Sequence, residues 1–207
     1  CCGAVRLHLN EAEGARDDAR RNIDAWWPLL EAGAEHVVTT ASGCGTQVVE
    51  YAHLLQEDPD YATKSARVVL ATRDVSEVIL AEADALTALL AACPPLAEAQ
   101  RPLAFHSPCS LQHGLKIRGT IEALLVAAGY TLTPVTDSHL CCGSAGTYSV
   151  LQPEISQRLQ ANKLHALSAG RPAAIASANV GCIAHLGSGT ELPVRHWIEL
   201  LDARLSA

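Results

Sequence analysis

The amino-acid sequence predicts an α/β fold: two tandem, related repeats with a largely parallel sheet. Short runs of β-branched and small residues alternate with longer helical segments, which is typical of parallel strands joined by helical crossovers. The triplet Cys-Cys-Gly occurs twice, beginning at Cys1 and at Cys141, and similar segments follow each copy. Hydrophobic residues make up 49% of the chain and charged residues 18%, so we expect a packed core rather than disorder.

The two halves align when Cys1 is placed over Cys141. Each half then continues through a helical stretch that ends in Ala-Gly, and through a small-residue strand that ends in Gly-Cys, at Cys44 and at Cys182. This alignment predicts two domains, a first repeat over residues 1–100 and a second over residues 101–207.

The second repeat begins with a strand and loop, FHSPCSLQHG, that has no counterpart in the first. We therefore expect the first repeat to be truncated at its N-terminus, with the missing strand upstream of residue 1. The chain also begins without methionine and without a basic and apolar leader, so it is interpreted as a piece of a longer protein.

Individual residues predict where the elements begin and end. Asn10 followed by Glu13 predicts a helix N-cap with its reciprocal partner, and Gly33 predicts the end of that helix. Pro153 predicts the first turn of a later helix. Strands are predicted at residues 35–40, 67–71, 102–106, 131–135 and 173–178.

Charge and hydropathy argue against two classes of partner. The formal net charge is −7 and the basic residues are scattered along the chain, which argues against a nucleic-acid partner. No apolar run of about 18 residues occurs, so no membrane-spanning segment is expected.

Seven cysteines lie in segments that follow a predicted strand or enter a helix. Such loops converge at the carboxyl edge of a parallel sheet, where thiolates would repel one another unless they shared a cation. Soft thiolate ligands select zinc, copper(I) or iron–sulfur clusters. The C-x₂₋₄-C pairs typical of structural zinc are absent, so an iron–sulfur cluster is favoured, with zinc, a redox disulfide and inert thiols as alternatives. The candidate ligands are Cys109, Cys141, Cys142 and Cys182 in the second repeat, and Cys1, Cys2 and Cys44 in the first.

Other polar residues near these cysteines are further candidates. His185 stands three residues after a cysteine and is a candidate metal ligand. His106 and His113 flank another cysteine and are interpreted as hydrogen-bonding residues that order its loop. Asn22 and Asn162, which the repeat aligns, are interpreted either as groups that bond the cysteine loops or as ordinary surface amides.

The stretches FHSPCSLQHG, ASGCGTQVVEYAHLL and SHLCCGSAGTYSVLQPE resemble the cysteine-rich CCG domain. That domain occurs twice in the B subunit of heterodisulfide reductase, in lactate-utilisation proteins and in the iron–sulfur subunits of glycolate oxidases. The resemblance to the last group covers essentially the whole chain. It implies an electron-carrying subunit of a complex that oxidises glycolate to glyoxylate, with a 4Fe-4S cluster on cysteines and FAD on a partner subunit.

The same resemblance implies further properties of the complex. A ferredoxin-like segment is expected upstream, and flavin-containing glycolate oxidase subunits are the expected partners. Because the hydride chemistry would belong to the flavin, this chain alone is not expected to be active. The expected location is cytoplasmic, with a peripheral position on the inner face of the plasma membrane through the complex.

The chain departs from the family pattern where relatives carry C-x-x-C. Here Cys182 is followed by His185, and Cys44 by Gln47, at the position of the second cysteine. The second site then keeps four thiols, enough for a four-ligand cluster, and the first keeps three. Two other functions stay open for a complex like heterodisulfide reductase or the lactate-utilisation proteins: a structural or docking module, and a thiol–disulfide module.

Overall fold

The computed structural model describes residues 1–206 and divides into two compact units, Cys1–Val75 and Ser76 onwards. The first unit contains α1 (Ala4–His8), α2 (Ala12–Glu31), β1 (Val37–Thr39), α3 (Ser42–Val49), α4 (Tyr51–Leu54), α5 (Ala62–Ala71) and β2 (Thr72–Asp74). The boundary falls at the first residue of α6 (Val75–Ala81). The second unit continues through α7 (Ala83–Ala91), a 3₁₀ turn (Glu98–Gln100), β3 (Pro102–His106), a π-helical turn (Ser110–Gly114), α8 (Thr120–Ala127), β4 (Thr131–Leu132), α9 (Tyr148–Leu151), α10 (Pro153–Ser168), β5 (Ala174–Ser177), α11 (Val180–Gly187), β6 (Val194–His196) and α12 (Trp197–Leu205).

Each unit is built around its own parallel sheet. In the first unit β1 pairs with β2, with Val37 opposite Thr72. In the second unit the strand order is β4-β3-β5-β6, and His106 at the end of β3 lies opposite Ser177 at the end of β5. Every strand pair within residues 1–206 is parallel, which confirms the predicted α/β class with parallel sheets.

The sheets of the two units share part of their topology. In both, one strand leads into a cysteine-bearing helix (β1 into α3, β5 into α11), and a second parallel strand then pairs with the first. The second unit adds β3 and β4 on the other side of β5. Within the described residues the first unit has no equivalents of β3 and β4, so its sheet is half as wide.

The cores lie between these sheets and the long helices. In the first unit Ile23, Tyr51 and Val68 are fully buried together. In the second unit Ile175 of β5 packs with Leu167 of α10 and with Leu186 and Cys182 of α11. Complete burial of a large aliphatic side chain stabilises the fold by about 1.5–3 kcal/mol. The candidate ligand Cys182 is therefore fixed by the same packing that holds the sheet.

Four of the five predicted strands are confirmed, at β1, β3, β4 and β5. The strand predicted at residues 67–71 is wrong, because these residues end helix α5. Val68 is buried there whereas Leu70 is 75% exposed, and the next buried residue before Val68 is Ser65. Burial every three residues is helical, and a short apolar run does not distinguish the two structures. The strand of this region is β2, which follows directly.

The predicted helix ends are confirmed in two cases of three. Pro153 begins α10, and Gly33 follows α2 with a φ of 102° while its amide donates to the carbonyl of Leu30. The predicted cap at Asn10 is wrong, because α2 begins at Ala12 and Asn10 has a φ of 64°. Asn10 instead forms the left-handed turn that ends α1, a conformation that asparagine tolerates better than most residues.

The division into compact units does not coincide with the boundary expected between residues 100 and 101. Helix α7 packs against α12, so the segment from Ser76 onwards joins the second unit. The boundary at residue 100 stays a prediction about the repeat. Among residues 1–206, no helix combines the length and the hydropathy that crossing a membrane requires.

Candidate metal centre

The Cys141-Cys142-Gly143 turn is held against helix α10. Gly143 has a φ of 97°, in the left-handed region that favours glycine, and a Cβ at this position would overlap the carbonyl oxygen of Ser156. The Ser156 hydroxyl donates to the Gly143 carbonyl over 2.8 Å, and the Gly143 amide donates to Cys141 Sγ over 3.3 Å. The glycine therefore lets the backbone approach α10 closely while both sulfurs are presented from one turn.

The other two thiols arrive from the ends of neighbouring strands. Cys109 follows β3 and immediately precedes the π-helical turn, a local form that is frequent at functional sites. Cys182 lies in the first turn of α11, just after β5. Asn179 precedes that helix, and its side-chain amide donates to Cys182 Sγ over 3.4 Å instead of capping the helix. The carboxyl edge of the sheet thus gathers the cysteines, as parallel topology favours.

The four thiols of the second unit form a continuous chain of contacts. Cys109 contacts Cys141, Cys141 contacts Cys142, and Cys142 contacts Cys182. The four side chains differ in exposure. Cys109 is exposed and Cys141 is half-buried, whereas Cys142 is 2% exposed and Cys182 is 5% exposed. We call these four residues the second cysteine cluster. One side of the cluster reaches solvent and the other lies in the core.

Contacts between thiols separate their pKa values. Contact with Cys109 and then with Cys142 lowers the pKa of Cys141, and contact with Cys142 lowers the pKa of Cys182 to about 5. Contact with Cys141 raises the pKa of both Cys109 and Cys142, and burial adds to both shifts. Two sulfurs are therefore stabilised as thiolates by two that keep their protons. A metal that displaced those protons would allow all four to act as ligands.

His106 completes a group of three buried donors. One of its ring nitrogens and the sulfurs of Cys142 and Cys182 all lie within 4.8 Å of one another. The side chain is 2% exposed, and neither ring nitrogen has a partner in hydrogen-bonding geometry. Leaving such a buried polar atom unsatisfied costs about 1–3 kcal/mol. The interpretation of His106 as a loop-ordering residue stays a prediction, and its place at the end of an apolar strand is the signal that points to a role in the site.

His185 lies behind the Cys-Cys-Gly turn. Its Nε2 is 3.2 Å from the Ser156 hydroxyl, which itself bonds the Gly143 carbonyl. The side chain of Gln160 donates to the His185 carbonyl. These contacts connect His185 to the support of the turn, and its role as a metal ligand stays a prediction.

Lys163 places a cation next to the second cysteine cluster. It is 2% exposed, and its ammonium group donates to the carbonyls of Asp137 over 2.9 Å and Ser138 over 3.2 Å. Burial lowers the pKa of Lys163, and the nearby Cys142 and Cys141 oppose that shift. A negatively charged group among the cysteines would offset the cost of burying this ammonium.

The first unit builds a smaller version of the site. Cys2 contacts Cys44, and this contact lowers the pKa of Cys2 to about 6. The Asn22 amide donates to the Cys1 carbonyl over 2.9 Å, and the Tyr51 hydroxyl donates to the Cys2 carbonyl over 2.9 Å. The three thiols line a cavity of about 480 Å³ whose other walls are largely apolar. We call Cys1, Cys2 and Cys44 the first cysteine cluster.

The alignment of Asn22 with Asn162 is wrong by one residue. Gly3 faces Ala15 of α2, and Gly143 faces Ser156 of α10 at the corresponding place. Asn22 lies seven residues after Ala15, and Lys163 lies seven residues after Ser156, so Asn22 aligns with Lys163. Lys163 is buried beside the cluster whereas Asn162 is exposed. Of the two interpretations of Asn22, the structure supports the one in which its amide bonds the cysteine loop. In the second unit the corresponding residue is Lys163, which bonds the carbonyls of Asp137 and Ser138 just before the cysteine pair.

Together the fold and these clusters define a class of protein. It comprises parallel α/β proteins in which loops at strand ends gather thiols in the arrangement that soft metal ions require.

Within that class, the chain belongs to the cysteine-rich CCG domain family, whose model matches residues 1–49 and residues 103–187. The two matched segments contain the two cysteine clusters, one in each unit. The repeat inferred from the sequence is therefore a repeat of this domain.

Named relatives fall into two groups. The chain is 46% identical to the glycolate oxidase iron-sulfur subunit of Escherichia coli (strain K12), covering 99% of this chain and 48% of that protein. It is 31% identical to the probable glycolate oxidase iron-sulfur subunit of Bacillus subtilis (strain 168), covering 92% of this chain and 41% of that protein. It is 25% identical to lactate utilization protein A of Bacillus cereus (strain B4264), covering 99% and 83%. The chain thus spans about half the length of the glycolate oxidase subunits it matches.

Proposed function

We propose that this chain is the cysteine-rich part of an iron–sulfur electron-transfer subunit in a complex that oxidises glycolate to glyoxylate. The observation that carries the proposal is the convergence of Cys109, Cys141, Cys142 and Cys182 at one edge of the second sheet. Similarity to two subunits named for glycolate oxidase supports the choice of complex.

The donors present fit an iron–sulfur cluster. Four thiols in contact supply the soft ligands that such clusters take, and a 4Fe-4S core has four iron atoms to receive them. The Gly143 amide and the Asn179 side chain each donate to a ligand sulfur, an arrangement that stabilises the thiolate form. The buried ammonium of Lys163 would balance part of the net negative charge. When bound, the cluster would accept and release single electrons.

The residues of this chain then hold and insulate the electron carrier. Cys142 and Cys182 lie in the apolar core, which excludes water from one side, while Cys109 is exposed on the other. Electrons would enter and leave through the exposed side. The substrate would be oxidised elsewhere, at FAD on a partner subunit, so the chain by itself would not turn over glycolate.

The remaining parts of the proposal concern the assembly. We propose a ferredoxin-like segment before this part of the subunit, flavin-containing subunits as partners, and a peripheral position at the inner face of the plasma membrane through them. The first cysteine cluster, with Cys1, Cys2 and Cys44, would be a second metal site. The chain spans about half of its glycolate oxidase relatives, which leaves room for such a segment.

Metal analysis tests the proposal. The full chain is reconstituted anaerobically with iron and sulfide, and its iron, sulfide and zinc contents and its electron paramagnetic resonance (EPR) spectrum are measured. We expect about four irons for the second cluster, and complete loss of its signal in Cys142→Ser. The matched control is Cys93→Ser, since that thiol lies outside both clusters and bonds the Leu89 carbonyl. Stoichiometric zinc, or protein without iron, would overturn the proposal.

A thiol–disulfide function is the second candidate, because one observation favours it. Cys2 contacts Cys44 and has a lowered pKa, which is what a reactive thiol beside its exchange partner requires. If this function is the correct one, the iron-free chain forms a Cys2–Cys44 disulfide reversibly at a defined potential, and mass spectrometry of alkylated peptides detects it. If the electron-transfer function is correct, iron protects these thiols from alkylation.

A further inference from the structure

We infer that His106 is a metal ligand of the second cysteine cluster, so that the site is a mixed thiolate and imidazole centre. This inference rests on the proposed iron–sulfur function and specifies which groups hold the metal. It adds a nitrogen donor to a site that sequence spacing describes with sulfur alone.

The position of His106 in the sheet supports the inference. It is the last residue of β3, an interior strand with β4 on one side and β5 on the other. Four of the five residues of this strand are buried, and His106 is among them. Apolar side chains suit such a position, so a titratable ring there indicates a specific role.

The lack of hydrogen-bond partners supports it further. Neither buried ring nitrogen forms a hydrogen bond of good geometry, although the ring contacts the Cys182 thiol, and the hydroxyl of Ser177, which lies opposite His106 on β5, is also unsatisfied. One ring nitrogen lies within 4.8 Å of the sulfurs of Cys142 and Cys182. Metal ligation would satisfy that nitrogen and leave the other to donate, as ligating histidines ordinarily do.

The arrangement has a chemical consequence. An imidazole ligand is neutral whereas a cysteine ligand is an anion, so each replacement of thiolate by imidazole makes the centre less negative. Histidine ligation raises the reduction potential of iron–sulfur centres for this reason. With His106 as a ligand, the second cluster would therefore have a higher potential than the same site with a cysteine at position 106.

Pulsed EPR on labelled protein tests the inference directly. The full chain is prepared with ¹⁵N-labelled histidine, reconstituted anaerobically with iron and sulfide, and reduced. We expect a hyperfine coupling from a directly bound histidine nitrogen in the wild-type protein. The coupling should be lost in His106→Gln and should persist in His113→Gln, which changes an exposed histidine of the same segment, and in His185→Gln.

A thiolate replacement guards against loss of folding. In His106→Cys a sulfur takes the place of the ring, so we expect the iron content to be retained, the nitrogen coupling to vanish and the midpoint potential to fall. Iron and sulfide in the wild-type protein without nitrogen coupling would overturn the inference and leave the proposed function standing. So would a coupling that survives in either His106 variant or disappears in His185→Gln. A wild-type chain that takes up no iron would overturn both.

Discussion

The two units share a backbone design and differ in the charges around their thiols. In both, a Cys-Cys-Gly turn with a left-handed glycine meets a long helix, and a third cysteine enters from the helix after a strand. Where the first unit has the neutral Asn22 beside this turn, the second has the buried cation Lys163. The two units share the turn and differ in the charge beside it, so the two sites should differ in metal affinity and in potential.

The number of donors differs as well. The second unit adds Cys109 and His106, and both come from β3 and the loop that follows it. The first unit has no such strand within the described residues, and its site consists of three thiols and a cavity. A complete donor set therefore depends on the wider sheet as much as on the Cys-Cys-Gly turn.

Removal of the cysteine pairs should give the largest contrast between the units. Changing Cys141 and Cys142 together to Ser should abolish the second cluster and its EPR signal, because two of four thiol ligands are lost. Changing Cys1 and Cys2 together to Ser should leave that signal at full intensity. Iron analysis and EPR on the two double variants measure the difference, and equal losses would show that the sites are not independent.

Substitution of the turn glycines should give the next largest contrast. Gly143→Ala should destabilise the fold by about 2–5 kcal/mol, because a left-handed alanine is strained and its Cβ overlaps the Ser156 carbonyl. Gly3→Ala should cost about 1–2 kcal/mol, since its Cβ would be 3.1 Å from the Ala15 carbonyl oxygen. Urea unfolding of the metal-free proteins compares them. A larger effect at Gly3 would contradict the closer packing of the second turn.

A pair of asparagine variants tests the corrected alignment. Asn22→Ala should lower the free energy of unfolding by about 1–2 kcal/mol, because it removes bonds to the Cys1 carbonyl and the Tyr51 hydroxyl. Asn162→Ala should change it by less than about 0.5 kcal/mol, as expected for an exposed site. Denaturant titration measures both, and similar costs at the two positions would restore the original alignment.

Neutralising the buried cation should give the smallest effect, on potential. Lys163→Met should lower the midpoint potential of the second cluster by roughly 50 mV, equivalent to about 1 kcal/mol for one electron, because the reduced cluster loses a stabilising charge. Lys116→Met is the control, since Lys116 is exposed in the same unit. Redox titration followed by EPR gives the two values. An unchanged potential in Lys163→Met would mean that the Lys163 ammonium has a structural role, as a hydrogen-bond donor to the carbonyls of Asp137 and Ser138, and does not tune the cluster.

The sequence was informative where function depends on strand ends. The parallel fold class and the grouping of Cys109, Cys141, Cys142 and Cys182 followed from alternating segments and loop positions, because topology alone brings such loops together. The strands β2 and β6 were not predicted, since three residues are too few to show a period.

The sequence predicted less well the roles of single residues that depend on burial or on helix register. His106 was placed at the end of a predicted strand but interpreted as a hydrogen-bonding residue, because nothing local shows that this strand is buried between two others. Asn162 was aligned with Asn22 because both lie 21 residues after the first cysteine of their Cys-Cys-Gly triplet, whereas the packing of each turn on its helix decides the register. Burial and helix register are tertiary properties, and a single sequence specifies them only indirectly.

The uneven burial of the second cluster has a practical consequence. Cys109 is exposed while Cys142 and Cys182 lie in the core, so small reagents in solution meet one corner of the site first. Oxygen damage in air should therefore begin at that corner and proceed inward, with sulfenic acid at the exposed Cys109 or at the half-buried thiolate of Cys141 as the earliest lesion. A preparation handled briefly in air would therefore keep the thiols of Cys142 and Cys182 intact.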